Sequence, residues 1–453
     1  MKMVIKIPRE IHERAKRDLR RPHRFAGERV GFFSTRCTRL GDTNLVHCIE
    51  YDTVNDDHYV DDHTVGARIG SLAVTTAMSR SINDSVGQLH VHLHGSAGLP
   101  VPSRTDESEL PPLARGLRNA NGAEAHGWII LGECDAHGSV LSPVDGAITS
   151  VPPVSIVGFP TVVNRREAQP NGALAGLKSL LAKKRRNSRY SRQSFLGPNS
   201  DSIIAYVKVG IIGLGGGGSH IVQQLAHVGF KNFVFCDYDR IADSNLNRLV
   251  LGTRADVRAK RLKTEIARRV VEKLHGDAQI VGDGSRWEDM TARLACCDIV
   301  FGCVDTYAAR RDLEAFCRRV MVPYVDVGMD VHETGGGGHE IDGQVIVSMP
   351  GFPCMHCVGF LNESVLGEEA KKYGAAGAKP QVVWSNGVLC SAAVGMAVDM
   401  FTDWSGKTTQ PAYLSFKGSD LTLSRSEMFS SLRGVACRHY PFSGIGDPVI
   451  RTL

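Results

Sequence analysis

The chain has 453 residues, more than a single hydrophobic core usually covers, so we expect two domains. Its net charge of +5 is too small to favour nucleic-acid binding. No unbroken apolar run is as long as a membrane span, and the first ten residues lack the apolar core of a signal peptide. We therefore expect neither a nucleic acid nor a membrane as a partner.

The first domain is predicted over residues 1–163 as a small α/β domain. Residues 11–19 have the pattern of a charged helix, and the apolar segment after Pro22 predicts a strand with Glu28 near its start. Further predicted elements are a helix over 65–78 and strands over 127–131 and 154–158.

The segment 89–94 alternates leucine or valine with histidine. As a strand, it places its three histidines on one face and its apolar residues on the other. Two imidazoles two residues apart, such as His92 and His94, can reach one metal ion. Ser103 and Asp106 follow closely, and the aspartate is a candidate third ligand.

This pattern, a distant glutamate, His-x-His and then Ser-x-x-Asp, resembles the JAMM/MPN metalloproteases. The resemblance implies that His92, His94 and Asp106 hold zinc, that Glu28 is the general base and that Ser103 steadies the oxyanion. The sequence departs from the family at the glycine after His94 and in a spacer that is one residue longer. Alternatives left open are Glu50 as the base and His90 with His92 as the histidine pair.

Residues 164–188 are polar and basic and form the predicted linker, with a short helix expected over 173–184. The second domain then extends over 189–453. It opens with an arginine-rich motif that contains Arg189, Arg192 and Gln193.

An apolar strand from Lys208 ends in a glycine-rich turn, and a helical pattern follows. The glycines permit a tight turn and the close approach of a phosphate, while the helix directs its free N–H groups at that phosphate. The turn contains Gly213, Gly215 and Gly218. This arrangement predicts a nucleotide site but is not specific to one class of enzyme.

The residues after the glycine turn narrow the class of enzyme. A second strand ends in Asp237, where a carboxylate can bind a ribose hydroxyl. Asn245 and Arg248 belong to a Ser-Asn-Leu-x-Arg motif, and a later strand leads to Val304 and Asp305. Together with the arginine motif, this set resembles the ThiF/MoeB superfamily, which includes the ubiquitin-activating enzymes.

The resemblance implies a Rossmann-like domain that uses ATP and Mg²⁺ to adenylate the C-terminal carboxylate of a ubiquitin-like protein ending in glycine. Asp305 would hold the magnesium ion. A helix is predicted to begin near Ala255, after Arg248, and a lysine in its first turns would contact the triphosphate. Lys263 fits that role better than Lys260. Arg192 would act on the ATP of a partner subunit, which implies a homodimer.

Cys354 and Cys357 form half of a structural zinc site. The resemblance implies a second pair near the C-terminus, where this chain has Cys437 followed by His439. Either His439 completes the site or the site has decayed. Cys390 opens an apolar helix predicted over 392–400, and a helix amino end lowers the pKa of a thiol, so it is a candidate thioester cysteine. Core packing is the favoured interpretation.

The expected function is therefore bifunctional. One domain would hydrolyse a peptide or isopeptide bond beside the modifier's C-terminus, and the other would activate the exposed carboxylate. Such fusions resemble components of bacterial conjugation or antiphage operons, and a conjugating enzyme is a further expected partner. Sulfur transfer for biosynthesis and a docking platform with an inactive metal site are the alternatives. The twelve scattered cysteines are expected to be reduced thiols in a cytoplasm.

Overall fold

The computed structural model describes residues 2–24, 26–95, 100–133, 136–150, 153–164, 188–371, 380–406, 413–432 and 434–446. Most of the predicted linker, including the helix expected over 173–184, lies outside these residues. The chain divides into two compact units. Of the described residues, the first unit contains 2–164 and 442–446, and the second contains 188–441.

The first unit is a nine-stranded mixed sheet in the order β7-β6-β5-β4-β2-β3-β1-β8-β9. Its strands are β1 (Lys2–Pro8), β2 (Val30–Leu40), β3 (Thr43–Thr53), β4 (Gly87–Leu93), β5 (His126–Leu131), β6 (Ala136–Leu141), β7 (Ile148–Ser150), β8 (Val154–Val157) and β9 (Val162–Asn164). Its helices are α1 (Arg9–Leu19), α2 (Ser71–Asn83) and α3 (Arg104–Ala120).

Helices cover both faces of this sheet. The apolar side of α1 packs with Leu89 and Val91 of β4, and α2 packs on the opposite face with Val30 and Phe32 of β2. The predicted alternation of β4 is therefore correct, and its histidines face the layer of α2 and α3. The helix expected over 65–78 begins only at Ser71, because Ile69 still forms a β-bridge with Tyr59.

The second unit is an eight-stranded sheet in the order β12-β11-β10-β13-β14-β15-β16-β17. Strands β10 (Lys208–Ile212), β11 (Asn232–Cys236), β12 (Gln279–Val281), β13 (Ile299–Gly302) and β14 (Tyr324–Glu333) are mutually parallel. Strands β15 (His339–Ser348), β16 (Tyr413–Lys417) and β17 (Thr422–Arg425) continue the sheet in antiparallel fashion.

The helices of this unit are α4 (Ser200–Tyr206), α5 (Gly216–Val228), α6 (Arg254–Arg258), α7 (Lys263–Leu274), α8 (Thr291–Leu294), α9 (Tyr307–Arg319), α10 (Glu363–Lys371), α11 (Val383–Thr402) and α12 (Glu427–Ser431). The chain leaves β10 through α5 to β11 on one side and returns to β13 on the other. The strand order thus reverses at β10, and ligands bind at such a switch point in open α/β sheets.

Helix α11 is long and apolar enough to cross a membrane by length and composition alone. More than half of its most apolar stretch is buried, and it packs on α5, β14 and β15. Helix α11 is therefore a core helix of the second unit. The sequence predicts an apolar helix only over 392–400, whereas α11 begins at Val383, because polar residues, Ser385 and Asn386 among them, interrupt the apolar run in its first half.

Candidate active sites

The first candidate site lies where β4 ends. His92 and His94 project from the same face of the strand, and their Nε2 atoms are 3.1 Å apart. Asp106 approaches both rings from the first turn of α3. Its Oδ1 is 3.3 Å from His92 Nε2, and its Oδ2 is 3.6 Å from His94 Nε2. The structure thus brings together the three residues predicted as metal ligands.

Ser103 and Asp106 also begin α3 as a capping box. The Asp106 N–H donates to Ser103 Oγ at 3.1 Å, and the Ser103 N–H donates to Asp106 Oδ2 at 2.7 Å. The Ser-x-x-Asp motif is therefore an N-terminal helix signal as well as a candidate site motif. The cap fixes the Asp106 carboxylate, while Ser103 remains exposed at the rim of the site.

The spacing of the three candidate ligand side chains is compatible with a zinc ion. Zn–N and Zn–O bonds of roughly 2.1 Å give tetrahedral edges of about 3.4 Å. The two ring nitrogens are 3.1 Å apart, and the Asp106 oxygen that is nearer each of them lies 3.3 Å from His92 and 3.6 Å from His94. Three protein ligands leave a fourth position for water or substrate, as in catalytic rather than structural zinc sites.

The two candidates for the base lie in different surroundings. A carboxylate oxygen of Glu28 lies within 4.8 Å of ring nitrogens of His92 and His94. Glu50 instead pairs with Arg80, whose Nη2 is 2.5 Å from Glu50 Oε2. Of these two glutamates, only Glu28 lies close to His92 and His94, although more than sixty residues separate it from them in sequence.

His90 lies deeper on the same face and is buried against Phe32 and the His92 ring. Burial lowers its pKa to about 3, and its Nδ1 has no hydrogen-bond partner among the described residues. Because Asp106 meets His92 and His94, the geometry favours that pair over His90 with His92.

The second candidate site is the glycine turn between β10 and α5. Gly213 has a φ of +83°, and a β-carbon there would lie 2.4 Å from the Cys303 carbonyl oxygen. A β-carbon on Gly218 would lie 1.9 Å from the Gly213 carbonyl oxygen. A β-carbon on Gly215 would meet no atom within 4 Å, so this residue faces open space at the amino end of α5. The turn thus offers backbone N–H groups to a phosphate without side-chain hindrance.

Asp237 holds this turn in place. Its Oδ2 accepts from the Leu214 N–H at 2.6 Å, and its Oδ1 accepts from the Asp239 N–H at 2.8 Å. Burial raises the pKa of Asp237, and the positive charge of Lys263 opposes that shift. Lys263 Nζ lies 2.7 Å from Asp239 Oδ2 and 3.8 Å from Asp237 Oδ2.

Lys260 and Lys263, the two candidate triphosphate ligands, differ in exposure and in backbone conformation. The single helix expected near Ala255 is in fact two helices, α6 and α7, because Lys260 has a φ of +48° and interrupts the hydrogen-bond ladder. Lys263 opens α7 and is buried beside the glycine turn, whereas Lys260 is exposed. The structure thus favours Lys263 over Lys260 for a role in this site.

Asn245 and Arg248 shape the adjoining loop. Asn245 Oδ1 accepts from the Ala242 N–H at 2.9 Å, and Arg248 Nη1 donates to the Ser244 carbonyl at 2.7 Å. The Arg248 side chain reaches Gly216, where a β-carbon would be 3.3 Å from its Cδ. The guanidinium therefore adds positive charge close to the amino end of α5.

Asp305 follows β13 and is exposed on the other side of the switch point. Its Oδ1 accepts a hydrogen bond from Gln381 Nε2 at 3.2 Å. Behind it, Arg310 is buried, lies 2.6 Å from both Asp326 oxygens and donates to the Val304 carbonyl at 2.5 Å. The turn that carries Asp305 is thus braced from the interior of the domain.

The arginine motif lies within two short 3₁₀ turns over Ser188–Leu196. Arg189 donates to the Leu274 carbonyl at 2.7 Å, and Gln193 donates to the Val228 carbonyl at 2.8 Å. Arg192 is exposed between them and contacts no acidic side chain in the described part of its own chain. Two residues of the motif therefore anchor the segment, while Arg192 is presented to solvent.

A cysteine cluster joins two distant parts of the second unit. Cys354 Sγ and Cys357 Sγ are 3.6 Å apart, and Cys357 Sγ is 3.7 Å from Cys437 Sγ. His439 Nδ1 lies 3.4 Å from the sulfurs of both Cys354 and Cys357. Tetrahedral zinc gives S–S edges of about 3.8 Å and S–N edges of about 3.5 Å, which fits a closed site with His439 as the fourth ligand.

Cys390 does not have the surroundings of a conjugating cysteine. It was expected to open an apolar helix at 392–400, but α11 begins at Val383, so the thiol lies inside the helix and gains nothing from its amino end. It is fully buried and donates to the Gly217 carbonyl at 3.2 Å. Burial raises its pKa well above the usual range, which disfavours the nucleophilic thiolate.

Several residues at these sites were missed by the sequence analysis. Gly66 borders the Glu28 carboxylate, Asn386 contacts Gly216, and Glu369 and Gln381 contact the turn around Asp305. A weak signal was present for Asn386, a buried polar residue in an otherwise apolar helix. The other three are linked to their sites only through the tertiary fold.

The parallel sheet, glycine turn and carboxylate at its switch point define a Rossmann-like nucleotide-binding domain. Residues 189–437 match the ThiF family, and the chain belongs to that family. It is 28% identical over 249 residues to the molybdopterin-synthase adenylyltransferase of Escherichia coli K12, covering 52% of this chain and 93% of that protein. It is 29% identical over 175 residues to the SAMP-activating enzyme E1 of Haloferax volcanii, covering 38% and 61%. The E. coli MccB structure with ATP has 20% identity and a TM-score of 0.45, covering 59% and 80%.

Proposed function

We propose that the second unit adenylates the C-terminal carboxylate of a ubiquitin-like protein ending in glycine. Membership of the ThiF family supports an adenylyltransferase, and two similar proteins are named as a molybdopterin-synthase adenylyltransferase and a SAMP-activating enzyme E1. The observation that carries the proposal is the glycine turn facing Asp305 across the switch point of the sheet.

The residues suit ATP as a substrate. The N–H groups beside Gly215 would bind phosphate, and Arg248 and Lys263 would balance its negative charge. Asp305 would hold Mg²⁺, which neutralises charge on the phosphates. The modifier's carboxylate oxygen would attack the α-phosphorus, forming the acyl adenylate as the bond to the β-phosphate bridging oxygen breaks and pyrophosphate leaves.

Pyrophosphate exchange tests this activity. The full chain is mixed with ATP, radiolabelled pyrophosphate and a candidate partner ending in Gly-Gly. Label should enter ATP only when the partner is present. A version of the partner lacking its last two glycines is the control, and equal exchange with both would contradict the proposed substrate.

We further propose that the first unit, which contains the predicted domain of residues 1–163, is a JAMM/MPN-type zinc peptidase that cleaves peptide or isopeptide bonds next to the modifier's C-terminus. The convergence of His92, His94, Asp106 and Glu28 supports this. Zinc at such a site acts as a Lewis acid on water. Glu28 would take the proton from the attacking water and return it to the leaving amine, while Ser103 would donate to the developing oxyanion.

The two activities form a sequence, because hydrolysis exposes the carboxylate that adenylation consumes. This order suits a conjugation or antiphage pathway in which a conjugating enzyme receives the modifier. A fusion of the modifier to a fluorescent protein should be cleaved after its final glycine by the full chain, and a chelator should abolish the cleavage. Chelator-resistant cleavage would contradict a metal-dependent peptidase.

Sulfur transfer is the second candidate, since the same acyl adenylate can be attacked by sulfide. The similarity to a molybdopterin-synthase adenylyltransferase favours it. Mass spectrometry of the partner after incubation with ATP and sulfide distinguishes sulfur transfer from protein modification. A thiocarboxylate supports sulfur transfer, whereas attachment to a protein amine supports modification.

We propose that the enzyme works as a homodimer in the cytoplasm. Exposed Arg192 and an exposed aromatic pair support the dimer. The rings of Phe195 and Trp404 pack edge to face at 5.5 Å between centroids, and 64% of Phe195 and 46% of Trp404 are exposed. Apolar side chains of this size beside a functional motif are typical of an interface. Sedimentation of the full chain tests this, and a monomer at micromolar concentration would contradict it.

A further inference from the structure

The turn from Val304 to Ala308 carries Asp305 and is contacted from two separate parts of the chain. Gln381, which lies just before α11, donates from Nε2 to Asp305 Oδ1 at 3.2 Å. Glu369 of α10 accepts at Oε1 from the Tyr307 N–H at 3.0 Å and at Oε2 from the Ala308 N–H at 2.9 Å.

Glu369 closes the amino end of α9. Thr306 Oγ1 accepts from the Ala309 N–H at 3.2 Å, so the first three free N–H groups of the helix are all paired. A carboxylate at this end also interacts favourably with the positive end of the helix dipole. The half-buried Glu369 thereby fixes the backbone immediately after Asp305, and it leaves this helix end unavailable to the nucleotide phosphates.

Gln381 acts on the side chain rather than the backbone. Its amide lies between the two halves of the nucleotide site, because a β-carbon on Gly216 would be 3.3 Å from Gln381 Oε1. The hydrogen bond from Gln381 to Oδ1 restricts the rotation of the Asp305 carboxylate. Arg310 completes the arrangement by donating to the Val304 carbonyl.

We propose that Glu369 and Gln381 are positioning residues for Asp305: Glu369 sets the backbone of its turn, and Gln381 sets the orientation of its carboxylate toward the divalent cation of the nucleotide. This inference rests on the proposed adenylation function. Neither residue touches the reacting atoms, so their loss changes cation binding more than nucleotide binding.

The test uses Mn²⁺ as the probe, because its binding to the full chain can be followed by electron paramagnetic resonance without turnover. Mn²⁺ is titrated with a saturating non-hydrolysable ATP analogue, and the analogue alone is titrated in EDTA. Gln381→Met preserves the side-chain length and removes the donor. It should weaken Mn²⁺ binding roughly 10-fold, the effect expected for a lost hydrogen bond to a charged group. Glu369→Gln should weaken it roughly 3- to 10-fold, because the Gln can accept only one of the two bonds.

Matched controls are Glu368→Gln, which removes the neighbouring exposed carboxylate of α10, and Gln279→Met on the exposed edge strand β12. Both should bind Mn²⁺ as the unaltered chain does. Unchanged Mn²⁺ affinity in Gln381→Met, an equal loss in the controls or an equal loss of metal-free analogue binding would each overturn the inference. An unaltered chain that binds Mn²⁺ with the analogue but shows no exchange with any partner would overturn the proposed function and leave the positioning role standing.

Discussion

The backbone N–H of Glu28 donates to the Gly66 carbonyl at 2.9 Å, and the Glu28 carboxylate fills the space that a Gly66 side chain would need. A β-carbon on Gly66 would lie 2.8 Å from Glu28 Cδ. Glycine at this position therefore allows the carboxylate to lie beside His92 and His94. The clash would involve the end of a flexible side chain, so a larger residue would move the carboxylate and leave the fold intact.

This relationship gives a prediction for the proposed peptidase. Glu28→Gln should lower cleavage of a modifier fusion roughly 10²- to 10⁴-fold, the usual contribution of a general base, while zinc content stays the same. Gly66→Ala should cause a loss of the same kind, because it displaces the base. Cleavage rate and zinc per chain are measured for each.

Gly27→Ala is the matched control, since its new methyl would make only an ordinary 3.5 Å contact with the Gly66 carbonyl oxygen. Wild-type cleavage by Glu28→Gln would show that Glu28 is not the base. Glu50 would then be the next candidate, after its pairing with Arg80 had been removed.

Asp305→Ala should reduce pyrophosphate exchange at least 100-fold, because the cation on the phosphates loses its protein ligand. The fold should persist, since Asp305 is exposed and the buried pair of Arg310 and Asp326 remains. Asp330→Ala, which removes an exposed carboxylate from β14, should exchange normally. Undiminished exchange in Asp305→Ala would end its assignment as the cation ligand.

Mixing two inactive chains tests whether Arg192 acts across a dimer. Arg192→Ala and Asp305→Ala should each be inactive alone. After subunit exchange, half of the dimers would be mixed and each would carry one intact site, giving about a quarter of the wild-type rate. No recovery, with exchange demonstrated by differently tagged subunits, would show that Arg192 does not act in trans.

The cysteine cluster predicts a second, structural zinc. The unaltered chain should contain two zinc ions, and Cys437→Ser should contain one. The second unit of Cys437→Ser should also unfold at a lower temperature than that of the unaltered chain, because a closed zinc site contributes folding energy. His439→Ala should lose the same ion if it is the fourth ligand. Cys37→Ser, a half-buried cysteine of the first unit, should keep both ions.

A different result for His439→Ala would be informative. Two zinc ions and unchanged melting in this variant would mean that three cysteines hold the metal without it. Asp106→Ala should remove only the other ion and abolish cleavage, while exchange remains intact.

Buried His47 predicts acid sensitivity. Neither ring nitrogen has a hydrogen-bond partner among the described residues, and burial, aided by the charge of Lys6, lowers its pKa to about 3. The unfolded chain binds a proton below pH 6.5 that the folded chain does not, so the free energy of unfolding falls as pH falls. Between pH 7 and pH 5 this amounts to about 2 kcal/mol.

His47→Leu should remove that part of the pH dependence. Urea unfolding of the full chain at pH 7 and pH 5 measures the difference, and His63→Leu, which alters an exposed histidine, is the control. If His47→Leu lost as much stability on acidification as the unaltered chain, His47 would not be the cause.

The sequence alone determined the features that short segments encode. The alternation of residues 89–93 placed the histidines on one face, because side chains on a strand point to alternate sides. The glycines after β10 predicted the turn, since only glycine permits the backbone of Gly213 and the close contacts at Gly218. Spacing between motifs then led to the ThiF family, which the comparison of residues 189–437 confirms.

Only the tertiary structure decided which distant residues meet. Glu28 rather than Glu50 joins the histidines because β2 lies beside β4 in the sheet, a pairing that no local pattern reveals. Gln381 reaches Asp305, and Glu369 reaches the backbone just after it, because α10 and the segment before α11 come close to the turn that carries Asp305. Such contacts arise from burial of apolar surface across the whole domain, and that driving force is non-directional and leaves no periodic trace near the polar residues it brings together.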